Sequence, residues 1–209
     1  MALLVTEVFD SLQGEGFWTG VPMTFVRLAG CNAAEAGLEC LRWCDTPASQ
    51  DAAAGRAMAV GDILARVRLP RLCVTGGEPL LQLEGLVALT QAAARRHLRV
   101  HIETNGTLDP RGLFGLECEA LVWSTVSPKP PAHLVHPGWE GLVDELKLVV
   151  DGALEAATAE RLAEAHPQAV VSIQPCWGDA DAVSAAVALV MSHPDWRLSL
   201  QTHKYLGIP

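Results

Sequence analysis

Basic residues are scarce. Fifteen Lys and Arg stand against 24 Asp and Glu in 209 residues, a formal charge of −9. That balance argues against a nucleic-acid backbone as the main partner, because neutralising phosphates takes an excess of Lys and Arg. It leaves an anionic small molecule open, since a few basic side chains inside a pocket suffice. Long apolar runs are missing as well. The most apolar stretches, such as residues 182–191, fall far short of the ~20 residues that cross a bilayer, so no membrane partner is expected. The first ten residues have no basic region and carry Glu7 and Asp10, unlike a secretory signal. The expected location is the cytoplasm, where thiols stay reduced. No internal repeat, low-complexity tract or linker interrupts the chain, and Pro128, Pro130 and Pro131 mark a loop rather than a boundary. Residues 1–209 are expected to form one domain. Half of the residues are hydrophobic, enough for a substantial core and too many for disorder.

Short runs rich in Val, Leu and Ile alternate with helical runs. The pattern predicts strands at residues 3–9, 23–28, 71–75, 98–103, 120–124, 145–150, 169–173 and 198–201. It predicts helices at 60–67, 80–97, 154–166 and 181–193, with Asp181 as a cap or first-turn acid of the last. Such alternation implies an α/β fold with a mostly parallel sheet. Only Pro-rich loop is expected between residues 124 and 145. A complete eightfold barrel takes about 250 residues, so a partial, helix-poor (β/α) barrel is the expectation.

Polar and glycine-rich segments follow these strands. Gly30-Cys31, Thr75-Gly76-Gly77-Glu78-Pro79, Glu103-Thr104-Asn105-Gly106, Ser127-Pro128-Lys129, Gln174-Pro175 and Gln201-Thr202-His203-Lys204 each sit at a strand's carboxyl end. Sites of parallel α/β architectures lie there, so the arrangement favours an enzyme over a passive scaffold. Six cysteines in a reducing compartment suggest metal ligands or buried thiols. Cys31, Cys40 and Cys44 fall within fourteen residues, and soft thiolates suit an iron–sulfur cluster, zinc or copper(I). A cube of four irons held by three cysteines keeps one iron free for another ligand. Cys73 lies in an expected strand and Cys118 stands alone, so both read as non-ligands. Cys176 follows a strand end and either packs in the core or lines the pocket.

Cys31, Cys40 and Cys44-Asp45-Thr46, followed by Thr75-Gly76-Gly77-Glu78-Pro79, resemble the radical SAM superfamily. Within it, Ser11-Leu12-Gln13-Gly14-Glu15-Gly16, Phe25-Val26-Arg27-Leu28, Glu103-Thr104-Asn105-Gly106-Thr107, Ser127-Pro128-Lys129 and the segment from Gln201 to Pro209 are similar to the 7-carboxy-7-deazaguanine synthase (QueE) family. The likeness runs from about Glu7 to the last residue. The superfamily places three and then two residues between its cysteines. Here eight separate Cys31 from Cys40, and Leu41-Arg42-Trp43 separate Cys40 from Cys44.

The resemblance implies a radical SAM catalytic domain with a [4Fe-4S] cluster on Cys31, Cys40 and Cys44. A reduced cluster would cleave S-adenosylmethionine, and the resulting 5′-deoxyadenosyl radical would take a hydrogen from C6 of 6-carboxy-5,6,7,8-tetrahydropterin. Ring contraction, return of the hydrogen and loss of ammonia would give 7-carboxy-7-deazaguanine, for queuosine and other deazapurines. It assigns Trp43, Cys44, Asp45, Gly77, Ser127, Pro128, Lys129, Gln174, Pro175, Cys176 and Trp177 to the S-adenosylmethionine side. Leu12, Gln13, Gly14, Arg27, Thr75 and Pro209 fall to the substrate, and Thr46 to Mg²⁺. Glu103 would bond a ribose or pterin group, and His203 would join the pocket or simply pack. An electron donor such as flavodoxin and a homodimer are the family expectation. Each residue also has an ordinary reading: Gly76 and Gly77 as a tight turn, Asp45 as a loop cap, Thr46 and Gln174-Pro175 as turn residues, Lys129 as a solvated charge, Arg27 in a surface ion pair. Two other functions fit part of the pattern. A glycyl-radical activase would share the cysteines and the Gly76-Gly77 turn but lack the pterin loop and the tail. A zinc-binding interaction protein would need no convergence of polar loops.

Overall fold

The computed structural model describes residues 1–114 and 122–209. Cys118 and the first two residues of the strand expected at 120–124 lie outside the described residues. The strands are β1 (Ala2–Leu12), β2 (Pro22–Leu28), β3 (Arg56–Ala59), β4 (Arg71–Gly76), β5 (Arg99–Thr104), β6 (Val122–Val126), β7 (Glu145–Val150), β8 (Val170–Pro175) and β9 (Arg197–Leu198). The α-helices are α1 (Val60–Arg66), α2 (Leu83–Ala94), α3 (Ala156–Ala165), α4 (Ala180–Ser192) and α5 (Thr202–Leu206). All nine strands form one sheet in the order β3-β1-β2-β4-β5-β6-β7-β8-β9. Every pairing from β2 to β9 is parallel, whereas β1 runs antiparallel to both β2 and β3. The exception has a simple cause. No helix lies between β1 and β2, and a short connection can only return a chain antiparallel.

Several elements differ from expectation. β3 has only four residues and, as Arg-Ala-Met-Ala, no β-branched or aromatic side chain, so it carries no strand signal of its own; it forms because it pairs with Ala2 to Val5 of β1. The strand expected at 198–201 shrinks to Arg197–Leu198, and α5 follows it. The helix expected at 80–97 opens with a 3-10 turn, Pro79–Gln82, before α2. Asp179, not Asp181, caps α4: its carboxylate accepts from the amides of Asp181 and Ala182 at 2.9 and 3.0 Å, and Asp181 sits in the first turn. Between β6 and β7 the described structure is loop with one 3-10 turn, Pro137–Trp139, as the prolines suggest.

The strands are not apolar on both faces. Val26, Leu28, Leu72, Val74, Val100, Ile102, Val126, Leu146, Leu148, Val150, Val171 and Ile173 face one way, into the core shared with α1 to α4. Complete burial of each such side chain contributes ~1.5–3 kcal/mol. The alternate positions face the inside of the wrapped sheet. Near the strand starts that face is aromatic. Phe17, from the β1–β2 loop, stacks on Trp123 at 5.0 Å, and Trp18 meets His101 and Trp123 edge-on at 5.1 and 5.4 Å. Phe9, Met23, Phe25 and Cys73 continue this second apolar cluster. Near the strand ends the same face is polar, and there a cavity opens.

Candidate active site

Six adjacent parallel strands each contribute one polar side chain to the inner face near their carboxyl ends: Arg27 of β2, Thr75 of β4, Glu103 of β5, Thr125 of β6, Lys147 of β7 and Gln174 of β8. All six line a cavity of about 620 Å³, a volume suited to ligands of drug or cofactor size. Because side chains alternate along a strand, the residues that build the hydrophobic core force their neighbours into this space.

The β1–β2 loop reaches into the cavity from one side. Gln13 donates to Glu103 Oε1 at 2.9 Å, while Thr75 Oγ1 donates to Glu103 Oε2 at 3.1 Å. Glu15 pairs with Lys147 and accepts from Gln201 Nε2 at 2.8 Å. Burial alone would raise the Glu15 pKa. The Lys147 ammonium and the hydrogen bonds from Lys147, Gln201 and Gln174 outweigh it and hold the carboxyl down at about 2. Lys147 shows the converse. Burial would lower its pKa, but Glu103 and Glu15, with Glu145 behind them, push it above the ordinary lysine value. The cavity floor therefore carries fixed charges of both signs.

The cysteine loop forms the opposite wall. Cys40 lies in a 3-10 turn, Glu39–Arg42, closed by the Trp43 amide donating to Cys40 O at 3.1 Å. That turn takes up the extra residue between Cys40 and Cys44. Asn32 donates to Thr107 Oγ1 and accepts from Asn105 Nδ2, both at 2.8 Å, so the segment after β5 braces the loop. The Glu39 amide donates to Pro130 O at 2.9 Å, and Trp43 Nε1 donates to Asp151 at 2.8 Å. Cys31, Cys40 and Cys44 are half-buried, free and face the cavity. Burial raises the Cys31 and Cys40 thiols above their ordinary value; neighbouring cysteine sulfurs add to it, and Glu78 does so for Cys31. Thiols so raised stay protonated, and a bound metal would have to displace their protons. Their sulfurs do not all lie within 4.8 Å of one another. Around one zinc, Zn–S bonds of ~2.3 Å would hold them about 3.8 Å apart. As placed, the three sulfurs are set too wide for a single zinc.

Between these walls, β4 ends in Gly76 and Gly77. A Cβ on Gly77 would lie 2.1 Å from Gly30 O, so only glycine lets β4 close against the chain entering the cysteine loop. Glu78 is fully buried and accepts from Leu80 N, Thr104 Oγ1 and Asn105 N at 3.0, 2.8 and 2.8 Å. It is the joint between the ends of β4 and β5, and burial raises its pKa against those bonds. The tight-turn reading of this motif and its place in the cavity wall are thus both realised.

The C-terminal segment covers the mouth. Thr202 donates through its amide and its hydroxyl to Gly14 O at 2.8 and 3.0 Å. His203 packs so closely that a Cβ on Gly14 would lie 2.0 Å from its Nδ1. Ser11 Oγ donates to Pro209 O at 2.6 Å. Gln201 Nε2 bridges Glu15 and Asp45, and Lys204 pairs with Asp45 at 2.8 Å. Glu15, Asp45 and His203 form the described trio of acidic or imidazole ligands drawn close enough for a single ion. Lys147, Lys204 and Gln201 already occupy the two carboxylates, which makes it a hydrogen-bonded latch.

Leu12, Gln13, Gly14, Arg27, Cys31, Cys40, Trp43, Cys44, Asp45, Thr46, Thr75, Gly77, Ser127, Lys129, Gln174, Pro175, Cys176, Trp177 and Pro209 all border this one cavity, with Glu103 and His203. Pro128 does not; it is buried beside the lining residues Ser127 and Lys129. Lys129 is no solvated charge: its ammonium sits 5.4 Å over Trp43 and donates to Ser127 Oγ at 2.7 Å, and burial lowers its pKa. Arg27 does make the ion pair of the ordinary reading, to Glu7 at 2.6 Å, yet still borders the cavity. Cys73 is fully buried away from the other thiols. Sequence reasoning overlooked Lys147 and Glu145, and it quoted Glu15 and Gln201 within motifs without giving either a role. One signal was available for two of them, since Glu145 and Lys147 are charges two apart in the otherwise apolar β7 and must share a face.

No protein-family model matches the chain. Individual relatives do. The 7-carboxy-7-deazaguanine synthase of Bordetella pertussis is 39% identical over 234 residues, covering 100% of both chains. That of Bacteroides thetaiotaomicron is 38% identical over 209 residues, covering 98% of this chain and 97% of its own. Among solved structures, QueE from Escherichia coli superimposes with a TM-score of 0.75 at 28% identity, covering 97% of this chain and 95% of its own. Full-length likeness of this order, together with a polar cavity faced by three clustered thiols, places the chain in the 7-carboxy-7-deazaguanine synthase family.

Proposed function

We propose that the cavity binds S-adenosylmethionine against the cysteine wall and 6-carboxy-5,6,7,8-tetrahydropterin against the β1–β2 loop. As a member of its family the chain is a radical SAM lyase. It contracts the pterin ring to 7-carboxy-7-deazaguanine and releases ammonia, in queuosine and deazapurine biosynthesis. The observation that carries the assignment of the two halves is the ring of polar side chains on six strands, flanked by thiols on one side and by Gln13, Gly14 and Glu15 on the other. When bound, the iron–sulfur cluster supplies the electron that cleaves S-adenosylmethionine and so provides the radical chemistry.

Cys31, Cys40 and Cys44 would hold the cluster. Trp43, Asp45, Gly77, Ser127, Lys129, Gln174, Pro175, Cys176 and Trp177 would receive the nucleoside and methionine portions, with Pro128 shaping the loop from behind. The pairing of Lys129 with Ser127 and Trp43 supports this, because it sets an ammonium and an aromatic face along the same wall. Arg27 would meet the substrate carboxylate with its planar fork. Gln13 and Thr75 already donate to Glu103, and the lone pairs left on that carboxylate would accept from N–H groups of the pterin. Leu12, Gly14 and the terminal carboxylate of Pro209 complete the substrate side. Thr46, whose Oγ1 lies 3.8 Å from Cys44 Sγ, would lend a hard oxygen to Mg²⁺, with water and substrate oxygens filling its shell. The apolar lining from Phe9, Phe25 and Val149 keeps water from the reacting atoms.

The whole of residues 1–209 is read as the catalytic domain, cytoplasmic, reduced by a flavodoxin-like donor and homodimeric. No described helix is long and apolar enough to cross a membrane. Anaerobic turnover of reduced, cluster-loaded protein with S-adenosylmethionine, Mg²⁺ and the carboxypterin tests the reading. The expected products are 7-carboxy-7-deazaguanine and ammonia. Cleavage of S-adenosylmethionine with the pterin left intact would overturn it.

A further inference from the structure

Glu145 opens β7, is 2% exposed and does not line the cavity. A buried carboxylate without partners is costly, and no Lys, Arg or His among the described residues pairs with it directly. It is satisfied by three donors instead. Thr125 Oγ1 of β6 donates to Oε2 at 3.1 Å, and Ser172 Oγ of β8 donates to Oε1. These two strands flank β7 and fix the carboxylate in place. The third donor is the amide of Phe17, at 2.8 Å from Oε1, 128 residues away in the β1–β2 loop.

The loop is built for this contact. Gly16 adopts φ +66°, and a Cβ there would lie 2.4 Å from Glu145 Oε1, so only glycine lets the backbone rest on the carboxylate. The Gly16 amide donates to Ser199 Oγ at 2.8 Å, and Ser199 donates to Gln174 Oε1 at 2.8 Å. Directly before this pinned turn come Gln13 and Glu15, which reach Glu103 and Lys147 in the cavity.

We propose that Glu145 is a positioning residue: its carboxylate clamps the turn at Gly16 and Phe17 from beneath and so sets where Leu12, Gln13 and Gly14 meet the pterin. This rests on the assignment of that loop to the substrate. The clamp on the loop acts by reach rather than by charge, since Glu103 and Glu15 outweigh Glu145 in holding Lys147 charged. Glu145→Gln keeps an oxygen for the Phe17 amide and the Ser172 hydroxyl, and the Thr125 hydroxyl can turn to accept from its NH₂. Glu145→Asp keeps the charge but withdraws the acceptor by one methylene. Gly16→Ala lifts the loop while leaving β7 untouched.

Hydrogen exchange at Phe17, KM for the carboxypterin and cleavage of S-adenosylmethionine without pterin test the clamp on cluster-loaded protein. In Glu145→Ala, Glu145→Asp and Gly16→Ala, loss of the bond between the Phe17 amide and the Glu145 carboxylate should cut Phe17 protection and raise KM about 10- to 100-fold. Donor cleavage should stay within about twofold, and Glu145→Gln should stay within about threefold of the parent in every readout. Unchanged Phe17 protection and KM in Glu145→Asp and Gly16→Ala would overturn the proposal. So would rescue by Asp with failure of Gln, or equal loss of donor cleavage. Should Glu145→Ala fail to fold, the other variants decide. Should the parent leave the pterin unconsumed, the substrate assignment falls, and the exchange pattern still decides the clamp.

Discussion

Arg27 makes the ion pair of its ordinary reading and still borders the cavity, where the substrate carboxylate is proposed to bind. Its Nε is held by Glu7 at 2.6 Å and its guanidinium lies 5.7 Å over Phe9, which fixes the plane of the fork toward the cavity. Arg27→Ala should raise KM for the carboxypterin about 10- to 100-fold while S-adenosylmethionine cleavage persists, and Arg27→Lys should recover only part, because an ammonium lacks the bidentate face. Steady-state kinetics with both substrates checks this; equal loss in both activities would contradict it. His101 supplies a pH test. Burial, reinforced by Arg71 and Arg99, lowers its pKa from 6.5 to about 4. Between those values the unfolded chain takes up a proton that the folded protein refuses. Stability from His101 is therefore complete above about pH 6.5 and is lost as pH falls toward 4. Urea midpoints should drop less between pH 7 and 5 in His101→Phe, which keeps the ring against Trp18; burial of His133 and His166, whose pKa values are also lowered, leaves a residual slope. At this scale the clustered thiols and the Gly76-Gly77 turn were legible from residue type and spacing, whereas Leu12, Gln13 and Gly14 were singled out only by the family resemblance. Glu15 and Gln201 were not legible, because their partners are 132 and 186 residues away, and no local pattern records so distant a pairing.

Among the elements, the parallel strands from β2 to β8 were legible within a residue or two, since short Val-, Leu- and Ile-rich runs bounded by glycine and proline have few other uses. Their face polarity was not drawn from the sequence, although Arg27, Thr75, Glu103 and Gln174 each interrupt an apolar run near its end and Lys147 interrupts one midway. β3 and α5 were missed because tertiary pairing, not propensity, holds such short pieces. The junction of β4 with the cysteine loop yields a prediction. Gly77→Ala would drive a Cβ into the Gly30 and Ser49 carbonyls, so it should destabilise the protein by more than about 2 kcal/mol, with iron content falling in step with the denaturation midpoint. The tail yields another. Removing Ile208 and Pro209 should lower pterin turnover at least about tenfold by unseating the segment that covers Gly14, with iron content unchanged; unaltered kinetics would take the tail out of the site.

For the molecule as a whole, the division of labour follows from the two faces of one wrapped sheet. The helix-covered face provides the core, the starts of the strands are plugged by Phe17 and Trp18, and the ends hold the charged cavity. The net charge of −9 hides cations kept inside, where Arg27, Lys129 and Lys147 face the space assigned to anionic groups. The proposed activity requires that Cys31, Cys40 and Cys44 grip a cluster that leaves one iron open to S-adenosylmethionine. Electron paramagnetic resonance of the anaerobically reduced protein tests that directly. The parent and Cys73→Ser should give a [4Fe-4S]⁺ signal that changes when S-adenosylmethionine is added, and Cys44→Ala should give no stable signal. A signal indifferent to S-adenosylmethionine, or one retained in full by Cys44→Ala, would contradict the account.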